Sequence, residues 1–349
     1  MQKYGLLSYK TENLGDEIQS IAARRFLPRI DYYFDRDDID ATKIKAGDKV
    51  KLIMNGWYTH RPENWPPKNP AIEPLLVAIH VEQDALEGRP KEAFLSEKSQ
   101  EFLKKYGPIG ARNLPTLELL KSSGIDSYFS GCLTLTLLPD KSVKKRDFIL
   151  AVDVSDEVFS EMKKRTKREI IRLDAYRIRS LSQEQKIALA EYWLSLYQSA
   201  HAVVTTRLHC MLPCLALGTP VLAISGNDPK RYAGLIELTN NATEAEFLKN
   251  SSLFNLDQPR PNPENFKKLA KEIAESCSKF TGYDSKKSYL GDKDIDALYT
   301  GTDFIGLIGE LSREAYKTER MEQEIIALKT PGIKMASRKL AEAVKRKFN

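Results

Sequence analysis

The chain has 349 residues, 42% of them hydrophobic and 29% charged, which suits two domains of ordinary size and excludes global disorder. No long uncharged apolar run occurs and mean hydropathy is −0.43, which excludes a membrane-spanning helix. The formal charge of +6 is matched by the tail, where Lys329 to Asn349 carries seven basic residues against Glu342; the balanced body speaks against a nucleic-acid partner.

The start, Met1-Gln2-Lys3-Tyr4-Gly5, runs into a predicted strand at Tyr4 to Ser8 and holds no apolar signal core. A polar loop, Tyr9 to Asp16, leads to a helix with Ile18, Ile21 and Ala22 at helical spacing. Asp31 to Phe34 and Val50 to Met54 are predicted strands, the second closed by the turn signal Asn55-Gly56. Leu75 to Val81 is a continuous apolar run, as in a strand covered on both faces. An amphipathic helix over Lys91 to Tyr106 follows, then a short strand at Pro108 to Arg112 and a helix from Leu117 to Leu120, stopped by Gly124. Tyr128 to Leu138 alternates in strand fashion and closes the first unit, and polar Pro139 to Asp147 is the linker.

A second alternating unit starts at Phe148 to Val152. It continues through a strand near Ile170-Ile171, a helix over Gln183 to Gln198, the strand Ala202 to Thr205, a helix from about His209 and the strand Pro220 to Ile224. Such alternation implies right-handed crossovers in parallel sheets. The expected architecture is α/β, with two Rossmann-like lobes facing a cleft, over residues 1–140 and 147–285, and a C-terminal helical segment over 286–349. The four cysteines are scattered. Cys210 and Cys214 lie four apart in an apolar helical stretch, as buried thiols do, so a reduced cytoplasmic enzyme with no metal site is expected.

The most specific stretch is Val203-Val204-Thr205-Thr206-Arg207-Leu208-His209, followed by an apolar helix and Gly218-Thr219-Pro220. Pro213 is comfortable only in a first helical turn, so the helix should begin near His209 to Met211. Arg207 and His209 then stand at a strand-to-helix turn on the ligand side of the sheet, where a guanidinium and the positive end of a helix make an anion site. In the first unit, Thr11-Glu12-Asn13-Leu14-Gly15-Asp16 places a glycine where a ligand can approach a helix N-terminus closely; equally, Asn13 can be a plain N-cap with acids in the first turn.

Asn13-Leu14-Gly15-Asp16 and Arg207-Leu208-His209 through Gly218-Thr219-Pro220 together resemble the polysaccharide pyruvyl transferase family. Gly110-Ala111-Arg112-Asn113 resembles that family's strand–Arg–helix element, with Asn113 where an acid is usual and Glu12 where glycine often stands. The resemblance implies a GT-B-like fold and transfer of pyruvate from phosphoenolpyruvate, a co-substrate rather than a cofactor, to two hydroxyls of a sugar. The product is a cyclic ketal, with release of phosphate. Capsule and exopolysaccharide repeats are assembled on lipid carriers, so the expected acceptor is a galactose-type hexose in a lipid-linked repeat. Arg207, Leu208, Arg112 and Lys230 are then assigned to the donor, with Arg231 competing for the role of Lys230. His209 is assigned as the acid that protonates the donor's methylene carbon, and Asp16 as base or orienter for the acceptor hydroxyl.

Trp57, His60 and Trp65 lie in an aromatic, Pro-rich loop beyond a strand end and, with Asn13, are candidate acceptor contacts; the same loop can instead be pinned by its own packing. In the tail, Ala336, Leu340, Val344 and Phe348 recur at helical spacing opposite the basic residues. This pattern fits peripheral contact with the inner leaflet of the cytoplasmic membrane or an apolar stripe packed on the body. Two other readings fit two such lobes: a GT-B glycosyltransferase using a nucleotide sugar, and a catalytically silent glycan-binding protein.

Overall fold

A computed structural model describes residues 1–58, 60–173, 181–225 and 229–291. Alternation of short apolar strands with amphipathic helices produces two parallel sheets. The first comprises β1 (Gln2–Ser8), β2 (Tyr32–Asp35), β3 (Lys49–Trp57), β4 (Ile72–His80), β5 (Ile109–Ala111) and β6 (Ser127–Phe129), in the order β2-β1-β3-β4-β5-β6. The second comprises β7 (Phe148–Val152), β8 (Glu169–Leu173), β9 (Ala202–Thr205), β10 (Val221–Ser225) and β11 (Asn240–Thr243), in the order β11-β10-β9-β7-β8. These are two Rossmann-like lobes, and 139–147 crosses between them without helix or strand.

The helices α1 (Leu14–Arg24), α2 (Arg89–Leu95), α3 (Glu97–Lys105) and α4 (Leu114–Ser122) belong to the first half of the chain. The second half contributes α5 (Asp156–Arg165), α6 (Gln183–Ser199), α7 (Leu208–Leu217), α8 (Pro229–Tyr232), α9 (Glu244–Lys249) and α10 (Phe266–Thr281). The helix expected over Lys91 to Tyr106 is two helices. Ser96, with ψ at 152°, leaves the helical region and caps α3 through a hydrogen bond from Ser99 N. The strand expected across Tyr128 to Leu138 ends at Phe129, and Leu133–Thr136 is a 3₁₀ turn whose residues are all buried. The amphipathic stretch Ala336 to Phe348 lies outside the described residues.

One apolar core joins the lobes. It runs from Leu14, Ile18 and Ile21 of α1 through Trp193 and Tyr197 of α6 to Leu208, Met211 and Leu215 of α7. Arg24 of α1 reinforces it by donating to the buried Glu191 of α6 at 2.7 Å. Late in the chain, α10 returns to the first lobe, where Lys51 Nζ donates to Phe280 O at 2.5 Å and Arg25 forks onto Asp284. The lobes are thereby held with the N-terminus of α1 facing the N-terminus of α7. No described helix is long and apolar enough to cross a membrane.

Candidate functional site

The carboxyl ends of the strands carry the polar side chains, as expected where parallel strands feed into helices. From the first lobe come Asn13 after β1, Arg36 after β2, Trp57 at the end of β3, His80 at the end of β4 and Arg112 after β5. From the second come Asp153 after β7 and Arg207 after β9. A narrow crevice between the lobes is lined by Asn13, Gly15, Arg207, His209, Arg231 and Tyr232.

The α7 start is shaped by its own proline. Helix geometry would press the Pro213 ring against the carbonyl of His209, four residues back. His209 is where the backbone leaves the helical region, at φ −84° and ψ 21°. The break sets His209 apart from the regular turns, and Gly218 at φ 75° ends the helix as its sequence position suggested.

Across the crevice, α1 comes so close that a methyl group added to Gly15 would stand 2.5 Å from His209 Nδ1. Glycine is required there by the approach of the two lobes, while its φ is ordinary. Asn13 caps α1, its Oδ1 accepting from Gly15 N at 3.1 Å.

His209 Nε2 is buried and has no hydrogen-bond partner. Burial, then the positive charges of Arg112, Arg231 and Arg207, hold its pKa well below the usual imidazole value. Three guanidinium groups thus converge on one ring. Arg207 donates to Asp153 Oδ2 at 2.8 Å, and Asp153 sits at φ +53°, a conformation unusual for a residue with a side chain. Arg231 lies over the Trp57 ring at 5.1 Å. Arg112 differs from both. It is 2% exposed, its Nε and Nη2 have no hydrogen-bond partner, and no carboxylate lies within ion-pair distance among the described residues. Burial and the neighbouring Arg231 pull its pKa down to about 10. A buried guanidinium without a counter-ion is costly unless a ligand supplies one; Arg112 stands outside the residues that line the crevice, where Arg207 and Arg231 are the cations.

Several expectations need correction. Asp16 is buried as a counter-ion: Thr11 Oγ1 donates to it at 2.5 Å and Arg36 Nη1 stands 3.3 Å from its Oδ2, which leaves it poorly placed to serve as a base. Trp65 is a core anchor, stacked on Phe94 at 4.2 Å and donating to Ser99 Oγ at 2.8 Å, and is no sugar platform. Trp57 is half-buried, with Arg231 over its ring and the His60 and His80 rings beside it. His60 Nδ1 meets Arg36 Nη2 at 2.8 Å. Leu208 is buried and offers a ligand only its backbone. Lys230 is 79% exposed, 4.0 Å from Asp84, whereas Arg231 faces the crevice.

Sequence reasoning missed Arg36, His80, Glu82 and Asp153. Arg36 and Asp153 each follow a predicted strand directly, a position that could have drawn attention. His80 was absorbed into the apolar run of β4. No group of three His, Cys, Asp or Glu side chains among the described residues is arranged to hold a metal ion.

The two parallel sheets with a crevice between them define a two-lobed α/β protein. Within that class, a profile of the polysaccharide pyruvyl transferase family matches residues 13–228, more than half of the chain, and the chain belongs to that family. Membership implies a transferase with a sugar or polysaccharide acceptor. A search of curated proteins finds no match. Among solved structures, the chain is similar to the UDP-GlcNAc 2-epimerase of Methanocaldococcus jannaschii in complex with UDP-GlcNAc and UDP (12% identity, 79% of this chain and 99% of that one, TM-score 0.42). It is also similar to the S. aureus MnaA–UDP structure (10% identity, 81% and 97%, TM-score 0.42) and to the wall teichoic acid polymerase TagF (11% identity, 91% and 90%, TM-score 0.36).

Proposed function

We propose that the chain transfers pyruvate from phosphoenolpyruvate to two hydroxyls of a hexose in a surface-polysaccharide repeat, forming a cyclic ketal and releasing phosphate. The observation that carries this reading is Arg112, a buried cation without a counter-ion, together with Arg207 and Arg231 around His209. Phosphoenolpyruvate brings a tetrahedral phosphate and a planar carboxylate, each presenting paired oxygens suited to a guanidinium fork. The crevice measures only about 20 Å³, so seating the donor requires its walls to part.

His209 is neutral beside three guanidinium groups, of which Arg207 is paired with Asp153 while Arg112 has no carboxylate within ion-pair distance among the described residues. A bound donor offsets those charges, raises the imidazole pKa and equips His209 to protonate the methylene carbon while a hydroxyl attacks the adjacent carbon. Arg112 and Arg231 hold the charge that collects on the departing phosphate. The reading is tested by incubating the protein with phosphoenolpyruvate and a panel of hexosides, lipid-linked and free, and examining the products by mass spectrometry. A product heavier by one ketal-linked pyruvate, with stoichiometric phosphate, is expected. Phosphoenolpyruvate left intact with every acceptor, alongside saturable nucleotide-sugar turnover, would overturn it.

A further inference from the structure

Next to the crevice lies a larger cavity of about 460 Å³, and Arg231 lines both. Its floor is the end of β4. There the pairing with β3 slips between Met54 and Gly56, and Ala78 takes φ +54°, so the strand carries an extra residue immediately before His80. Bulges of this kind re-aim the side chains that follow them, and strained backbone at a strand end is a recurrent mark of function. The remaining lining mixes charged and polar groups of both signs, Glu82, Asn113, Glu118 and Lys91 among them, with apolar Val81, Pro115 and Leu119, as suits a sugar with its hydroxyls and its C–H faces.

His80 is almost fully buried, with both ring nitrogens placed. Nδ1 lies 3.2 Å from Asn113 Oδ1, an acceptor whose amide nitrogen is turned to the backbone carbonyls of Lys230 and Arg231. With the proton of the neutral ring on Nδ1, that nitrogen donates to Asn113 Oδ1, and the Thr116 hydroxyl stands 3.4 Å from it. Nε2 then offers a lone pair toward Glu82 Oε2, 3.4 Å away, and has no hydrogen-bond donor. Two acceptors face one another without a proton between them. A hydroxyl reaching into that gap supplies one.

We propose that this cavity seats the acceptor sugar and that the His80–Glu82 pair receives the proton of the attacking hydroxyl, in place of Asp16, which is engaged by Thr11 and Arg36. This rests on the pyruvyl-transfer reading above. The step balances as follows. The first hydroxyl loses its proton to Glu82 as its oxygen bonds to C2 of the donor, and C3 takes a proton from His209. The C2–O bond to phosphate then breaks with its electron pair leaving on phosphate. The second hydroxyl bonds to C2 and gives its proton to His209, which restores the acid, while Glu82 passes the first hydroxyl's proton to the departed phosphate. Of the two hydroxyl protons, one ends in the new methyl group and the other on phosphate.

The experiment compares wild-type protein with Glu82→Gln, Glu82→Asp and Ser122→Trp, the last placing a bulky ring in the cavity wall. Donor affinity is read by calorimetry with phosphoenolpyruvate alone, acceptor binding by saturation-transfer NMR with the hexoside, and turnover by phosphate release. Glu82→Gln is expected to lower kcat at least 100-fold, Glu82→Asp to restore part of it, and Ser122→Trp to raise the acceptor KM at least tenfold, all with donor affinity within threefold of wild type. Ketal formation at wild-type kcat in Glu82→Gln, or an unchanged acceptor KM in Ser122→Trp, overturns the proposal while leaving pyruvyl transfer intact. Should wild-type protein form no ketal, the transfer reading fails by itself. Hexoside binding abolished by Ser122→Trp then still supports the cavity as a sugar site, and hexoside binding unaffected by it overturns that.

Discussion

Two arginines of the first lobe are equally buried and do opposite things. Arg36, after β2, faces Asp16 at 3.3 Å and Asp37 at 3.1 Å, bonds His60 and lies over the Tyr9 ring. Burial opposes its charge, but the two carboxylates outweigh burial and hold its pKa above the ordinary value. Arg112, after β5, has burial without the carboxylates, and its pKa falls to about 10. The strand-end position is the same in both; the counter-ions separate a structural cation from a ligand-seeking one. Buried arginine alone therefore identifies no site, whereas buried arginine left unneutralised beside a histidine does.

The contrast breaks most readily at His209, which stands on the Arg112 side. His209→Ala is expected to lower turnover about 10²–10⁴-fold with donor affinity little changed, the usual range for loss of a general acid. In wild-type protein the basic limb of kcat should lie at higher pH than that of kcat/KM. The reason is that the acid must be protonated, the free protein holds its pKa far down, and the bound anion raises it. Coincident limbs would remove the electrostatic link between Arg112 and His209.

Replacing each arginine by methionine sharpens the contrast next. Arg36→Met strands Asp16 and Asp37 and should destabilise the fold by about 3–5 kcal/mol, measured by urea unfolding. Arg112→Met removes a charge that no carboxylate among the described residues pairs with, so unfolding should be unchanged or shifted to higher urea while donor affinity falls by about two orders of magnitude. Equal destabilisation by the two substitutions would contradict the distinction.

His80 gives a third, smaller effect. Burial and then Arg112 bring its pKa down to about 4, against about 6.5 when unfolded. The unfolded chain takes up a proton as pH falls below 6.5 and the folded one does not until about 4, so stability is lost with acidification across that window, by roughly 3 kcal/mol. His80→Gln should flatten the urea midpoint between pH 7 and 4.5. An unchanged slope would mean that His80 is protonated in the folded protein. Smallest is Gly15→Ala, whose new methyl must push the His209 ring: a loss of activity of about tenfold with unfolding unaltered is expected, against a merely destabilised protein if the two lobes can part.

Much of the architecture was legible because each strand–turn–helix unit declares itself locally. Ala202 to Thr205 and the Gly218 stop lie where spacing placed them. Arg207, His209 and Arg112 were legible for the same reason, each at a turn where apolar pattern gives way to charge. What failed was tertiary. Nothing local distinguishes Asp16 as a base from Asp16 as the partner of Arg36, twenty positions away. His80 is hidden in the apolar run of β4, whose bulge at Ala78 has no sequence signature. Trp65 looked like a sugar platform because its stacking partner Phe94 and hydrogen-bond partner Ser99 come from other elements.

The most direct measurement is a crystal structure with phosphoenolpyruvate bound. Phosphate or carboxylate oxygens on Arg112 Nε and Nη2, with the methylene carbon turned to His209, are what a buried guanidinium without a counter-ion requires. Phosphoenolpyruvate seated elsewhere, with those two nitrogens still lacking a partner, would contradict it.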